Sequence, residues 1–275
     1  MTGRGSLLLQ ALFLVVAISA AAQQPEAATG TAPGTVADDP VANPGRPTVA
    51  TPATLTPVGY FQFETGILGA WQSPELSSQV SLNEVVKFSV SNWIELLAAT
   101  EPFEHSVAEG QTTNGFGGVA LGVQGIVHHG KGAQPTIAVA YFGVVYDGGL
   151  PNLDVGSFRN SVALLASADI KGFHYDTNFF FNEVTDGAVR RAQFGQTLSV
   201  SHPIGKNFVI SGEIWHFTQP FLHSNAVGNL WALSYNLRKT LVLDCGFNRG
   251  LTSTSTQWIA VAGFTYLLPH RVRLR

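Results

Sequence analysis

From Val58 onward, apolar and small polar residues alternate with period two in one segment after another. This pattern constrains the fold more than any other feature of the chain. Successive side chains of an extended strand point to opposite faces, so such alternation describes strands with one apolar and one polar side. In the first segment Phe61, Phe63 and Ile67 oppose Gln62, Glu64 and Gly66. In 172–183, Phe173, Tyr175, Phe179 and Phe181 oppose His174, Asp176, Asn178 and Asn182. In 207–217, Phe208, Ile210 and Ile214 oppose Ser211 and Glu213. Twelve segments read this way: 58–69, 80–90, 93–101, 117–128, 135–146, 160–171, 173–183, 190–202, 207–217, 226–237, 240–248 and 256–267.

The connections alternate too. Short ones fall at 91–92, 129–134, 171–172, 203–206 and 238–239. Longer ones fall at 70–79, 102–116, 147–159, 184–189, 218–225 and 249–255. An even number of strands of about 10 residues, with short turns at one end and longer loops at the other, describes an antiparallel up-and-down transmembrane β-barrel. Charge supports this. Only 12% of the 275 residues are Asp, Glu, Lys or Arg, about half the share usual for soluble domains, so ordinary water-facing strand surfaces are undersupplied. Tyr60, Trp71, Trp93, Tyr146, Trp215, Trp258 and Tyr266 stand near strand ends, as interfacial aromatic girdles require.

The N-terminus reads as an export signal over 1–22. Arg4 precedes an apolar run from Leu7 to Ile18, and Ala20, Ala21 and Ala22 supply small residues for cleavage. The run is shorter than the ~20 apolar residues of a membrane-spanning helix. Residues 23–56 are rich in Ala, Thr and Pro and carry no aromatic residue. With little apolar surface to bury, this stretch is expected to be a disordered linker. The barrel is expected over 57–268, followed by a basic tail, 269–275.

Several phrases resemble bacterial outer-membrane transporter proteins: Tyr175 to Asn178 (YDTN), Arg190 to Gly205 (RRAQFGQTLSVSHPIG), Gly212 to Phe221 (GEIWHFTQPF) and Gly263 to His270 (GFTYLLPH). The family named by this texture is the meta-pathway phenol-degradation family of barrels. The resemblance spans about 57–268. It implies a Gram-negative outer-membrane location and passage of small, often aromatic, compounds. Outer-membrane barrels commonly end on an aromatic residue, whereas here Pro269 to Arg275 follow Tyr266.

Chemistry-bearing motifs are missing. The sequence has no G-x-S-x-G, H-E-x-x-H or P-loop. Ser201 and His202 are adjacent on a strand, so they face opposite ways and cannot pair. The eight His are scattered without metal-ligand spacing, and Cys245 is the lone cysteine. The reading is therefore non-enzymatic, with no cofactor and no metal. A net charge of −3 leaves no basic face for nucleic acid. The expected partners are outer-membrane lipids, the barrel assembly machinery and a small-molecule solute.

The candidate residues are polar groups on inward faces. Glu64, Lys87, Asp176, Arg191, Glu213 and Asp244 are expected to line a pore, with Arg191, Glu213, Lys87 and Glu64 at its constriction. Mutually satisfied charges that merely pack the interior have the same composition. Three functional readings follow: a channel for small aromatic or hydrophobic solutes, a non-transporting structural or surface-interaction barrel, and a soluble periplasmic β-sandwich that binds ligands.

Overall fold

The computed structural model describes residues 40–148, 150, 153 and 158–272. The expected signal peptide, the linker up to residue 39, most of the 147–159 loop and the tail beyond residue 272 lie outside these residues. The strands are β1 (Phe61–Trp71), β2 (Ser78–Ser89), β3 (Ile94–Ala108), β4 (Gln111–Gly115), β5 (Val119–His128), β6 (Thr136–Tyr146) and β7 (Asn160–Ile170). They continue as β8 (Phe173–Asp186), β9 (Val189–Ile204), β10 (Phe208–Gln219), β11 (Ser224–Arg238), β12 (Leu241–Gly250) and β13 (Trp258–Leu267). Every pairing is between antiparallel neighbours. β1 pairs with both β2 and β13, and β2 pairs with β3, which closes the wall on itself; the short β4, paired with β3 alone, keeps a free edge. A closed barrel replaces the β-sandwich alternative.

Twelve strands form the wall, and β4 is the thirteenth. Glu104 pairs with Gly115 and Thr100 pairs with Val119, four residues further on each side. β4 and β5 thus keep one register against β3 and are two halves of a single arm, broken at 116–118. The expected loop 102–116 is therefore mostly strand. β3 runs on to Ala108 and turns at Glu109 (φ 49°) and Gly110 (φ 78°). Both residues sit in the left-handed region that a tight two-residue hairpin turn demands. The expected 184–189 loop contracts likewise, since β8 reaches Asp186 and β9 starts at Val189. At the opposite end Lys171 (φ 52°) and Gly172 (φ 84°) make a similar turn between β7 and β8.

The faces divide as the alternation requires. Ile67, Phe179, Phe181, Phe194, Ile214, Trp231 and Phe247 point outward and are exposed. Gln62, Glu64, Gln124, Asn178, Gln193, Glu213 and Asp244 point inward and are buried. In water this arrangement forgoes about 25 cal/mol for each Å² of apolar surface left outside. Against hydrocarbon that term disappears, and the closed ladder of the wall pairs the backbone polar groups that would otherwise face lipid. Trp71, Tyr146 and Trp258 stand exposed at the long-loop end, and Trp93 at the short-turn end. Trp215 and Tyr60 depart from the girdle expectation. Trp215 lies on the inward face and gives its indole N–H to Asn248 Oδ1 (3.1 Å). Tyr60 packs on Ala42, Val242 and Leu267. Proximity to a strand end did not reveal which side of the strand these rings occupy.

Candidate functional site in the barrel interior

The interior is occupied in its short-turn half by the chain's own residues 40–56, hereafter the arm. It enters where Ala42 N–H donates to Lys239 O in the β11–β12 turn (2.8 Å). It rises to the level of Glu213, the sixth residue of β10, and returns to Gly59, whose N–H donates to Ser89 O at the end of β2. Ala50, Ala53 and Thr56 are buried. The expectation of disorder over 23–56 therefore fails from Pro40 onward. Apolar burial is not what holds the arm. An extended segment must find a partner for each backbone N–H, and the barrel wall supplies them.

Those partners come from many strands. Asn43 N–H donates to Gln62 Oε1 (2.8 Å) and Gly45 N–H to Glu64 Oε1 (3.0 Å). Glu213 takes two donors, Val49 N–H at Oε2 (2.8 Å) and Ala50 N–H at Oε1 (2.6 Å). Asn178 clamps Thr51 both ways, accepting from its N–H (2.6 Å) and donating to its carbonyl (2.9 Å). Ala53 N–H reaches Ser167 Oγ (2.7 Å), and Thr56 N–H reaches Glu95 Oε2 (2.9 Å). Pro44, Pro47 and Pro52 bring no N–H, which shortens the list of groups to satisfy. The small side chains of the arm let its backbone come this close.

Charge completes the seat. Lys87 Nζ lies 2.6 Å from Glu64 Oε1, and Arg46 lies 3.3 Å from Asp244 Oδ1. The Arg46 guanidinium lies against Gly66 and Gly263, where a Cβ would come within 2.0 Å and 2.8 Å of Nη2. Arg46 and Lys87 each neutralise a buried carboxylate, which otherwise carries a desolvation cost of several kcal/mol.

Of the six sequence-derived candidates, Glu64, Lys87, Glu213 and Asp244 face the interior and hold or adjoin the arm. Asp176 also faces inward. It accepts from Ser167 Oγ (2.5 Å) and lies 3.2 Å from His174 Nε2. Arg191 stands apart at the long-loop rim, donating to Pro220 O (2.6 Å) above the Phe221 ring. It does not join the other constriction candidates.

Sequence reasoning missed Arg46 because it fell in the expected linker. It also missed Glu95, Glu101 and Glu104 on β3. Glu95 and Glu101 are an even number of residues apart, so period-two alternation places them on one face. Glu104 breaks that parity. A bulge sets Glu101 and Pro102 against Asn83 alone, between the Glu84–Thr100 and Leu82–Phe103 pairs, and returns Glu104 to the inward face. Pro102 fits the bulge, where no ladder donor is needed.

Above the arm the interior opens into two adjoining cavities. One, of about 250 Å³, is apolar and lies over the arm's Val49, between Ala140, Phe142, Phe158, Phe180 and Phe217. The other, of about 310 Å³, is lined by Gln79, Ser81, Asn83 and Glu101. Ala99 and Phe158 border both. The inward rings lie over glycines. A Cβ at Gly195 would meet the Phe217 ring at 2.2 Å, and one at Gly228 the Trp215 ring at 2.2 Å. Glycines at inward register positions were the available sign of these rings.

No family model matches the chain, and no curated protein is significantly similar to it. Solved structures share the fold. An outer-membrane channel from Pseudomonas putida F1 superposes with a TM-score of 0.57 at 11% identity, covering 78% of this chain and 98% of that one. The NanC porin gives 0.52 at 11% identity over 74% of this chain and 100% of its own. The KdgM porin gives 0.51 at 13% identity over 74% and 98%.

Proposed function

We propose that the chain is an outer-membrane channel for passive passage of small solutes, with the arm as its constriction. The observation that carries this reading is an inside-out closed barrel whose polar interior is narrowed by a segment of the same chain. The three fold neighbours are an outer-membrane channel and two porins, which supports the location and the class. Kinship with the meta-pathway phenol-degradation family, and hence a preference for aromatic solutes, belongs to the proposal. The apolar cavity over Val49 supports that preference. Glu64, Lys87, Asp176, Glu213 and Asp244 are pore-lining in this reading, and Arg191 guards the rim. The reading is non-enzymatic. It also includes a cleaved export signal, insertion by the barrel assembly machinery and an annulus of outer-membrane lipid.

The seated arm also favours a second reading, a closed structural barrel that passes nothing. Planar-bilayer recordings separate the two. The full chain and a variant lacking residues 41–55 are each refolded and checked for heat-modifiable gel mobility, then inserted in symmetric KCl. The channel reading expects conductance from the full chain and a severalfold larger one from the deletion. Silence from the full chain, with steps only after deletion, makes the native molecule a closed barrel.

A further inference from the structure

Resting on the channel reading, we propose that the upper interior is a binding site for an amphipathic organic monocation. Its ammonium head sits between Glu101 and Glu104, and its aromatic or alkyl body lies against Phe142, Phe158, Phe180 and Phe217.

The head site follows from unmet acceptors. Glu104 is fully buried, and neither of its carboxylate oxygens has a hydrogen-bond partner among the described residues. It stands in register with Ser81, which lines the larger cavity, and next along the inward face from Glu101. Two further polar atoms, the acceptor Gln79 Oε1 and the Ser106 hydroxyl, are also buried and unpartnered. They face each other in the adjacent register position. Asn83 donates to Glu101, which occupies one oxygen of that carboxylate. Among the described residues no Lys, Arg or His forms an ion pair with Glu101 or Glu104. A buried carboxylate left unpaired is costly, and the cost is relieved by a cation that also donates hydrogen bonds. A primary ammonium carries one positive charge and three N–H donors, which matches one open carboxylate and its neighbouring acceptors. Hard divalent ions want six or more oxygens or retained waters. Among the described residues no cluster of three or more His, Cys, Asp or Glu forms.

The body site follows from the adjoining apolar cavity. The cavity that carries the Glu101 side chain on one wall and the aromatic cavity share Ala99 and Phe158, so one small molecule can span the boundary. Aromatic faces attract a cation held near them and accept an apolar body without desolvation cost. An apolar pocket with a few convergent polar groups is the usual form of a small-molecule site.

Calorimetric titration of the refolded full chain in detergent tests this. The probes are 2-phenylethylammonium, 2-phenylethanol, 3-phenylpropanoate, methylammonium and Ca²⁺. The expected order places 2-phenylethylammonium at least tenfold tighter than 2-phenylethanol and methylammonium, with 3-phenylpropanoate weakest. Glu104→Gln, checked for heat-modifiable mobility, is expected to abolish the preference for the amine while leaving the alcohol unchanged. Glu101→Gln serves as the second variant should the first not fold. Equal binding of amine and alcohol, a preference that survives both substitutions, or tighter binding of methylammonium or Ca²⁺ each overturns the proposal. Bilayer conductance of the same preparation is read separately. Conductance without amine preference removes this site and leaves the channel standing. Amine preference in a silent barrel removes the channel reading and leaves a ligand-binding barrel.

Discussion

At the scale of single residues, the decisive contrast lies between the two faces of β10. Ile214 points outward midway along the strand, paired with Leu198 and Asn229, while Ile210 lies two residues from Phe208 at the short-turn end. An arginine on the lipid face costs ~2–4 kcal/mol at the midplane and ~0–1 near an interface. Ile214→Arg is therefore expected to lose about 2–4 kcal/mol of folding free energy in vesicles, and Ile210→Arg distinctly less. Urea titration by tryptophan fluorescence reads both, and equal losses would mean the bilayer is centred elsewhere. Glu213 is the inward counterpart. Its two oxygens accept N–H groups from Val49 and Ala50. Glutamine presents one oxygen and an NH₂ that faces a donor. Glu213→Gln is expected to leave the barrel folded and to loosen the arm, read as faster proteolysis within residues 40–56 in detergent. Unchanged cleavage would show that Glu213 does not hold the arm.

At the scale of elements, the wall was legible in the sequence and its contents were not. Alternation placed Gln62 against Phe63 and Glu213 against Ile214 correctly because each strand of the wall has an exposed apolar side and a side that meets polar partners. Strand ends were less legible. β3 and its hairpin partner extend through residues first read as a loop, since a strand carried beyond the membrane no longer needs an apolar outer face. Glu104 fell in that expected loop, and period two carried on from Glu101 would have turned it outward because of the Pro102 bulge. The arm was missed for another reason. Composition asks whether a segment can bury apolar surface, whereas residues 40–56 are held by carboxylates and amides on β1, β3, β5, β8, β10 and β12 and by the Ser167 hydroxyl on β7. No local pattern records that. The arm's seat is directly testable. Ala53 N and Ser167 Oγ are 2.7 Å apart. Ala53→Cys with Ser167→Cys, in a Cys245→Ser background, is expected to form a disulfide on mild oxidation in vesicles, seen as a mobility shift reversed by reductant. No cross-link under oxidising conditions would place the arm outside the interior.

At the scale of the whole molecule, the two ends of the barrel are unlike. One end carries the compact connections, such as Lys171-Gly172 and the turn from Ile204 to Phe208. There the arm enters, β1 begins and β13 ends, and Val272 N–H returns to Gly59 O (2.7 Å) to tie the last described residues to the first turn. The other end carries the β3–β4 hairpin and the connections 72–77 and 251–257, which project beyond the exposed Trp71 and Trp258. Outer-membrane barrels keep short turns in the periplasm and longer loops outside. In the channel reading an arm entering from the short-turn end is periplasmic, and the two cavities above it, one lined by Glu101 and the other by Phe180, lie toward the exterior. In that reading, solutes arriving from outside meet the acidic and aromatic wall before they reach the arm. This orientation makes a specific expectation. A cysteine placed at Asn114 of β4, in the Cys245→Ser background, should react with a membrane-impermeant maleimide on intact cells. One at Lys206, between β9 and β10, should react only after the outer membrane is permeabilised. Reversed labelling would put the arm at the cell surface, where it would act as a stopper against entry rather than a constriction beneath the two cavities.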